Sequence, residues 1–216
     1  MTATISRLYN DYADAREAVR NLEAAGVEHN DINIIASNAD NWYSSSDRKG
    51  DKRETFPDRD LDGKDDRAEA AGAGAGVGAA VGGAAGLLAG LGLMAIPGVG
   101  PVVAAGWLVS TLAGAAAGGA AGSVVGALTQ AGVSKEDADI YAEGLRRGGA
   151  VVGAVVSARV PDADALRLQA IMDRSAVNVR ERAAAYRQAG WQSFNAKETP
   201  YTADQVRKER ELYVRR

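Results

Sequence analysis

Between Ala70 and Ser134 the chain contains no Asp, Glu, Lys or Arg, and glycine recurs there in a fixed phase. Gly74, Gly78, Gly82, Gly86 and Gly90 lie four residues apart. Gly106, Gly114, Gly118, Gly122 and Gly126 keep the same phase beyond a break at Ile96-Pro97-Gly98-Val99-Gly100-Pro101. A step of four keeps residues on one face of an α-helix. Each ladder therefore predicts a helix with a stripe that lacks side chains, which a second backbone can approach closely. Proline and glycine at the break favour a turn. The expectation is a glycine-zipper helical hairpin over residues 70–133. Each interior glycine costs a helix about 1 kcal/mol relative to alanine, so a partner helix or a lipid environment has to compensate. A flexible Gly/Ala linker is the plainer alternative, and the regular phase argues against it.

The heaviest apolar residues of this stretch gather near the break, among them Leu91, Met94, Ile96 and Trp107, with Pro97 and Pro101 at the turn itself. These six form the expected tip, suited to lipid or to the core of an oligomer. About 25 residues per arm at 1.5 Å each give about 38 Å, enough for a hydrocarbon layer of about 30 Å. Arg67 before the stretch and Lys135, Arg146 and Arg147 after it predict that both ends stay cytoplasmic. The expected location is a cytoplasmic domain with its hairpin in or on the inner membrane. A soluble cytoplasmic oligomer that buries its tips is the alternative.

Outside this stretch the chain reads as a small α/β domain cut in two. Thr4 to Tyr9 alternates as a half-buried strand. A helix capped by Asn10 or Asp11 follows, with Tyr12, Ala15, Val19 and Leu22 in phase and Gly26 just past its end. Asp31 to Ala36 is a second strand, placed for a crossover onto a neighbouring or next-but-one strand. After the hairpin, Ser134 caps another helix. Ala150 to Val160 is a β-branched central strand, Ala163 to Arg174 is helical, and Ala176 to Val179 is a short strand candidate. Arg180 to Ala189 is a further helix. Thr202 and Gln205 open a charged C-terminal helix with a capping box.

The organisation is thus 1–36, first half of the α/β domain; 37–69, a polar mobile linker; 70–133, the hairpin; 134–195, the second half; and 196–216, a charged helical tail. The predicted class is α+β: a ferredoxin-like β-α-β/β-α-β sandwich interrupted by the inserted hairpin.

Composition removes several function classes. The chain has no cysteine, which excludes disulfides and thiolate metal or catalytic sites. A net charge of −3 leaves no basic footprint for nucleic acid. The single histidine, His29, reads as an exposed loop residue. No catalytic triad or nucleophile elbow is present, and Gly78 to Gly83 lacks the strand-then-turn context of a dinucleotide loop. No catalytic, cofactor-binding or metal residue is assigned, no cofactor is expected and no small-molecule substrate is identified. One motif in the linker approaches metal chemistry. Asp58, Asp60, Asp62, Gly63 and Glu69 match the calcium-loop spacing, with Asp66 at the ninth position. Asp65 at the normally apolar eighth position, and Pro57 where a helix should enter, make it a solvated charge run instead.

The block from Asn10 to Gly26 resembles the bacterial general stress protein, or heat-induced stress protein, domain. Leu87 to Trp107 is similar to the Gly/Ala hairpin of relatives of that family, and Glu181 to Trp191 with Pro200 to Glu211 resembles the C-terminal block of its proteobacterial members. The resemblance implies a stress-response protein with no activity or site residues to carry over. The expectation is a non-catalytic protein whose hairpin mediates membrane association or self-association. A soluble oligomeric ligand-sensing module with the hairpin buried in the oligomer is the alternative, and it requires a polar pocket.

Overall fold

The computed structural model describes residues 3–43, 92–106, 109, 124–156 and 162–214. The linker beyond Tyr43, its Asp58–Glu69 loop and most of the glycine ladders lie outside these residues. Within them the chain is α+β, with one five-stranded antiparallel sheet and six α-helices. The strands are β1 (Ala3–Tyr9), β2 (Ile32–Ser37), β3 (Gly92–Ile96), β4 (Gly100–Ala105) and β5 (Ala150–Val156). The helices are α1 (Tyr12–Ala24), α2 (Val124–Gln130), α3 (Lys135–Arg146), α4 (Asp162–Asp173), α5 (Val179–Gln188) and α6 (Ala203–Val214).

Local sequence accounts for most boundaries. The Asp11 side chain accepts the Asp14 N–H at the start of α1, and Gly26 follows its end at φ +93°. Ser134 accepts the Asp137 N–H at the start of α3. At α6, Thr202 and Gln205 exchange reciprocal backbone-to-side-chain bonds of 2.9 and 3.3 Å, a complete capping box.

The strand order is β1-β5-β2-β4-β3. Both β1 and β2 run antiparallel to β5 and hence parallel to each other, so α1 connects next-but-one strands. Side chains alternate between two covered faces. Ile5, Ile32, Ile34, Val152 and Ala154 meet Val19 and Leu22 of α1 and Met172 of α4. Leu8, Ile35, Val102 and Val151 meet Leu128 of α2 and Leu145 of α3. Every residue of β2 is buried, as a central strand covered on both sides requires.

The segment around the Pro-Gly break corrects the expectation of helical arms. Residues 92–105 form a β-hairpin, with Ile96 to Val99 as its turn and Gly98 at φ +75° after Pro97. The turn stands where the sequence puts it; the arms beside it are strands. Gly100–Ala105 pairs with β2 in the register Ile35↔Ala104 and Ala36↔Val103. Pairing with β2 satisfies the backbone and buries Val102, Val103 and Ala104, whereas an isolated glycine-bearing helix here would keep its apolar bulk exposed. The Ala176–Val179 candidate is not a strand. It contributes a single ladder-like bond, Val177 N–H to the Leu8 carbonyl at 2.8 Å, on the outer edge of β1.

Candidate functional site

The densest polar constellation among the described residues forms where α3 ends. Helix α3 finishes with Arg146, followed by Arg147, Gly148 and Gly149, so two cations stand at the negative end of the helix dipole. Gly148 has φ +100°, and a β-carbon there would collide with Val206 of α6. Gly149 lies against the carbonyls of Tyr9 and Gly144. The paired glycines thus let the C-terminal helix and strand β1 close onto the end of α3.

At the centre lies Glu143, with 0% of its surface exposed. It accepts hydrogen bonds from Arg146 Nη2 at 2.8 Å and Arg147 Nε at 2.5 Å. Arg146 also pairs with Glu198, and Arg147 Nη1 reaches Glu209 at 2.9 Å. Arg210 donates from Nε and Nη2 to the Gly148 carbonyl, at 3.1 and 2.8 Å, and pairs with Asp40. Aromatic rings fill the remaining space. The Arg147 guanidinium lies 4.3 Å from the Tyr186 ring centre, and that of Arg182 lies 3.4 Å from the Tyr213 ring centre. Arg182 also donates to Asn10 Oδ1 at 2.7 Å.

The electrostatics hold the Arg147 guanidinium and the Tyr186 and Tyr201 phenols in single protonation states near neutrality. Burial pulls the Arg147 pKa down, but hydrogen bonds to Glu143 and Glu209 outweigh it and hold the group above its ordinary value. Burial raises the phenols of Tyr186 and Tyr201. The guanidinium and the phenols therefore stay protonated through the neutral range, whereas general acid–base work needs a pKa near the working pH. The cleft beside them, lined by Tyr9, Arg147, Arg182, Arg210 and Tyr213 among others, measures about 10 Å³, the space of about one water molecule. What this arrangement can do is fasten: it ties α6 and the 198–201 segment to α3, α5 and, through Asp40, the turn that follows β2.

No family model, curated protein or solved structure matches the chain.

The sequence-predicted residues fall elsewhere. Gly106 ends β4 at φ +94°, where a β-carbon would strike the Ile32 carbonyl and Asn33, so its bareness serves a close approach inside the sheet. Gly126 lies in α2. Gly74, Gly78, Gly82, Gly86, Gly90, Gly114, Gly118 and Gly122, with Leu91 and Trp107, lie outside the described residues. Of the expected tip, Ile96 is buried in the domain's own core and Met94 packs against it, while Pro97 and Pro101 are exposed. His29 is not the exposed loop residue the sequence implies. Its side chain is four-fifths buried, with Nδ1 3.5 Å from the Glu23 carboxylate. Among the described residues, no group of three or more acidic or histidine side chains is placed to hold a metal ion. Sequence reading missed the Glu143 network. Its local signal was a glutamate three and four residues before two arginines, but the other half of the network comes from Asp40, Glu198, Glu209 and Arg210.

Proposed function

We propose that this chain is a non-catalytic stress-response protein that acts by self-association, with its uncharged stretch as the contact region. The stress-response part rests on the resemblance of the Asn10–Gly26 and C-terminal blocks. The observation that carries self-association is how the uncharged stretch joins the domain. Gly100–Ala105 is a sheet strand and Val124–Gln130 covers one sheet face, so the stretch is anchored rigidly at both points. Ile96, Val102 and Val103, part of the apolar bulk near the Pro-Gly turn, are spent on the domain's own core. That favours assembly over insertion into lipid. Among the described residues no helix is long and apolar enough to cross a membrane.

The domain itself reads best as a ferredoxin-like sandwich with an added edge hairpin. The order β1-β5-β2 and the packing of α1 and α4 on one face support this. So does the Val177–Leu8 bond, which occupies the position of a fourth strand beside β1.

Expression of the full chain followed by separation of membranes from cytosol tests the function, with light scattering on the soluble fraction. A defined oligomer in the cytosol is expected. Quantitative recovery in membranes that survives an alkaline carbonate wash, or a monomer at every concentration, overturns the reading.

A further inference from the structure

The two edges of the sheet are built differently. On β1 the outer edge carries Arg7, which pairs with Asp173, and its Leu8 carbonyl is taken by Val177. Strand β3, at the other edge, reads Gly-Leu-Met-Ala-Ile and has no charge, no proline and no bulge, the devices that normally guard an edge. Leu93 is 45% exposed, one of three exposed large apolar residues among those described.

The register fixes which backbone groups face outward. Pro101 lacks an N–H, and its carbonyl accepts from Asn38 on the far side, at 2.8 Å. The Ala95↔Pro101 pair is therefore of the non-hydrogen-bonded kind, and alternation makes Leu93↔Val103 the same. Consequently the N–H and C=O of both Leu93 and Ala95 point away from β4, out of the sheet.

We propose that two copies of this chain join their sheets through β3, antiparallel about a two-fold axis at Met94. This rests on the self-association reading above and names its contact. About that axis Leu93 lies opposite Ala95 of the second copy, and Ala95 opposite Leu93. Both are then hydrogen-bonded pairs, and each pair exchanges two N–H···O bonds. All outward donors and acceptors of the two residues are satisfied at once, which an isologous contact requires. Side chains agree with the register: the larger Leu93 meets the smaller Ala95 on the same face.

Ala95→Pro tests the contact, because it removes only an outward N–H and leaves the β3–β4 bonds intact. Light scattering across a wide concentration range should show a wild-type dimer and a variant dissociating at least tenfold more readily, with an unchanged circular dichroism spectrum. Hydrogen exchange on the wild type is the second measurement: the Leu93 and Ala95 amides should slow as concentration rises. If the wild type associates while Ala95→Pro does so equally, or those amides exchange freely in the associated state, edge pairing is overturned and self-association stands. A wild type that is monomeric throughout overturns both.

Discussion

Arg147 donates through Nε to Glu143 at 2.5 Å, joining a fully buried carboxylate to a guanidinium that also reaches the C-terminal helix. A paired buried ion has already lost its hydration, so its stability depends on every partner being present. Because Arg146 shares the same carboxylate, removing it takes a partner from two guanidiniums at once, leaving Arg146 with Glu198 and Arg147 with Glu209.

Glu143→Ala should therefore destabilise the domain by about 3–5 kcal/mol. For a chain of this size that is a fall in Tm of roughly 10 °C. Thermal unfolding followed by circular dichroism measures it. A change below about 1 kcal/mol, the range of an exposed ion pair, would show that the network does not hold the fold.

Gly148→Ala should loosen the C-terminal helix in particular. The substitution strains a left-handed backbone position and drives a β-carbon into Val206, which is buried. Limited trypsin digestion should cut the variant at Arg207 or Lys208 much faster than the parent. Equal digestion rates would mean that α6 tolerates the intrusion.

The Tyr141 hydroxyl, buried, donates to the Ser6 carbonyl at 2.9 Å, and burial pushes its pKa up to about 12. The folded value lies above the unfolded value of about 10, so the folded state favours the neutral phenol. Its contribution is fully present below about pH 10 and is lost as pH rises towards 12. That loss is on the order of 3 kcal/mol, from two pKa units. Tyr141→Phe should flatten the fall of urea-unfolding stability between those limits. A profile parallel to the parent's would remove this phenol from the alkaline transition.

Gly106→Ala separates the two readings of the uncharged stretch by sign. In a helix, alanine in place of glycine gains about 1 kcal/mol. At the end of β4, with φ +94° and the Ile32 carbonyl in contact, alanine should instead cost about 2 kcal/mol or more. Urea unfolding of the single variant decides which sign holds.

The sequence alone determined the elements whose causes are local. Asp11, Ser134 and the Thr202–Gln205 box set helix starts, Gly26 set an end, and the apolar phases of β1, α1, β2 and β5 told which residues would be buried. It also located the Pro97-Gly98 turn, because proline and glycine constrain their own φ angles. The glycine phase pointed to helical arms beside that turn, whereas the β-branched Val102 and Val103 fit the strand that forms there. Only the tertiary structure decided between them. Strand β2, far away in sequence, needed a partner on its open side, and Gly100–Ala105 supplied one. The Glu143 network was illegible for a related reason. Its members span Asp40 to Arg210, and a charged residue on a polar helix looks solvated until another element removes the water around it.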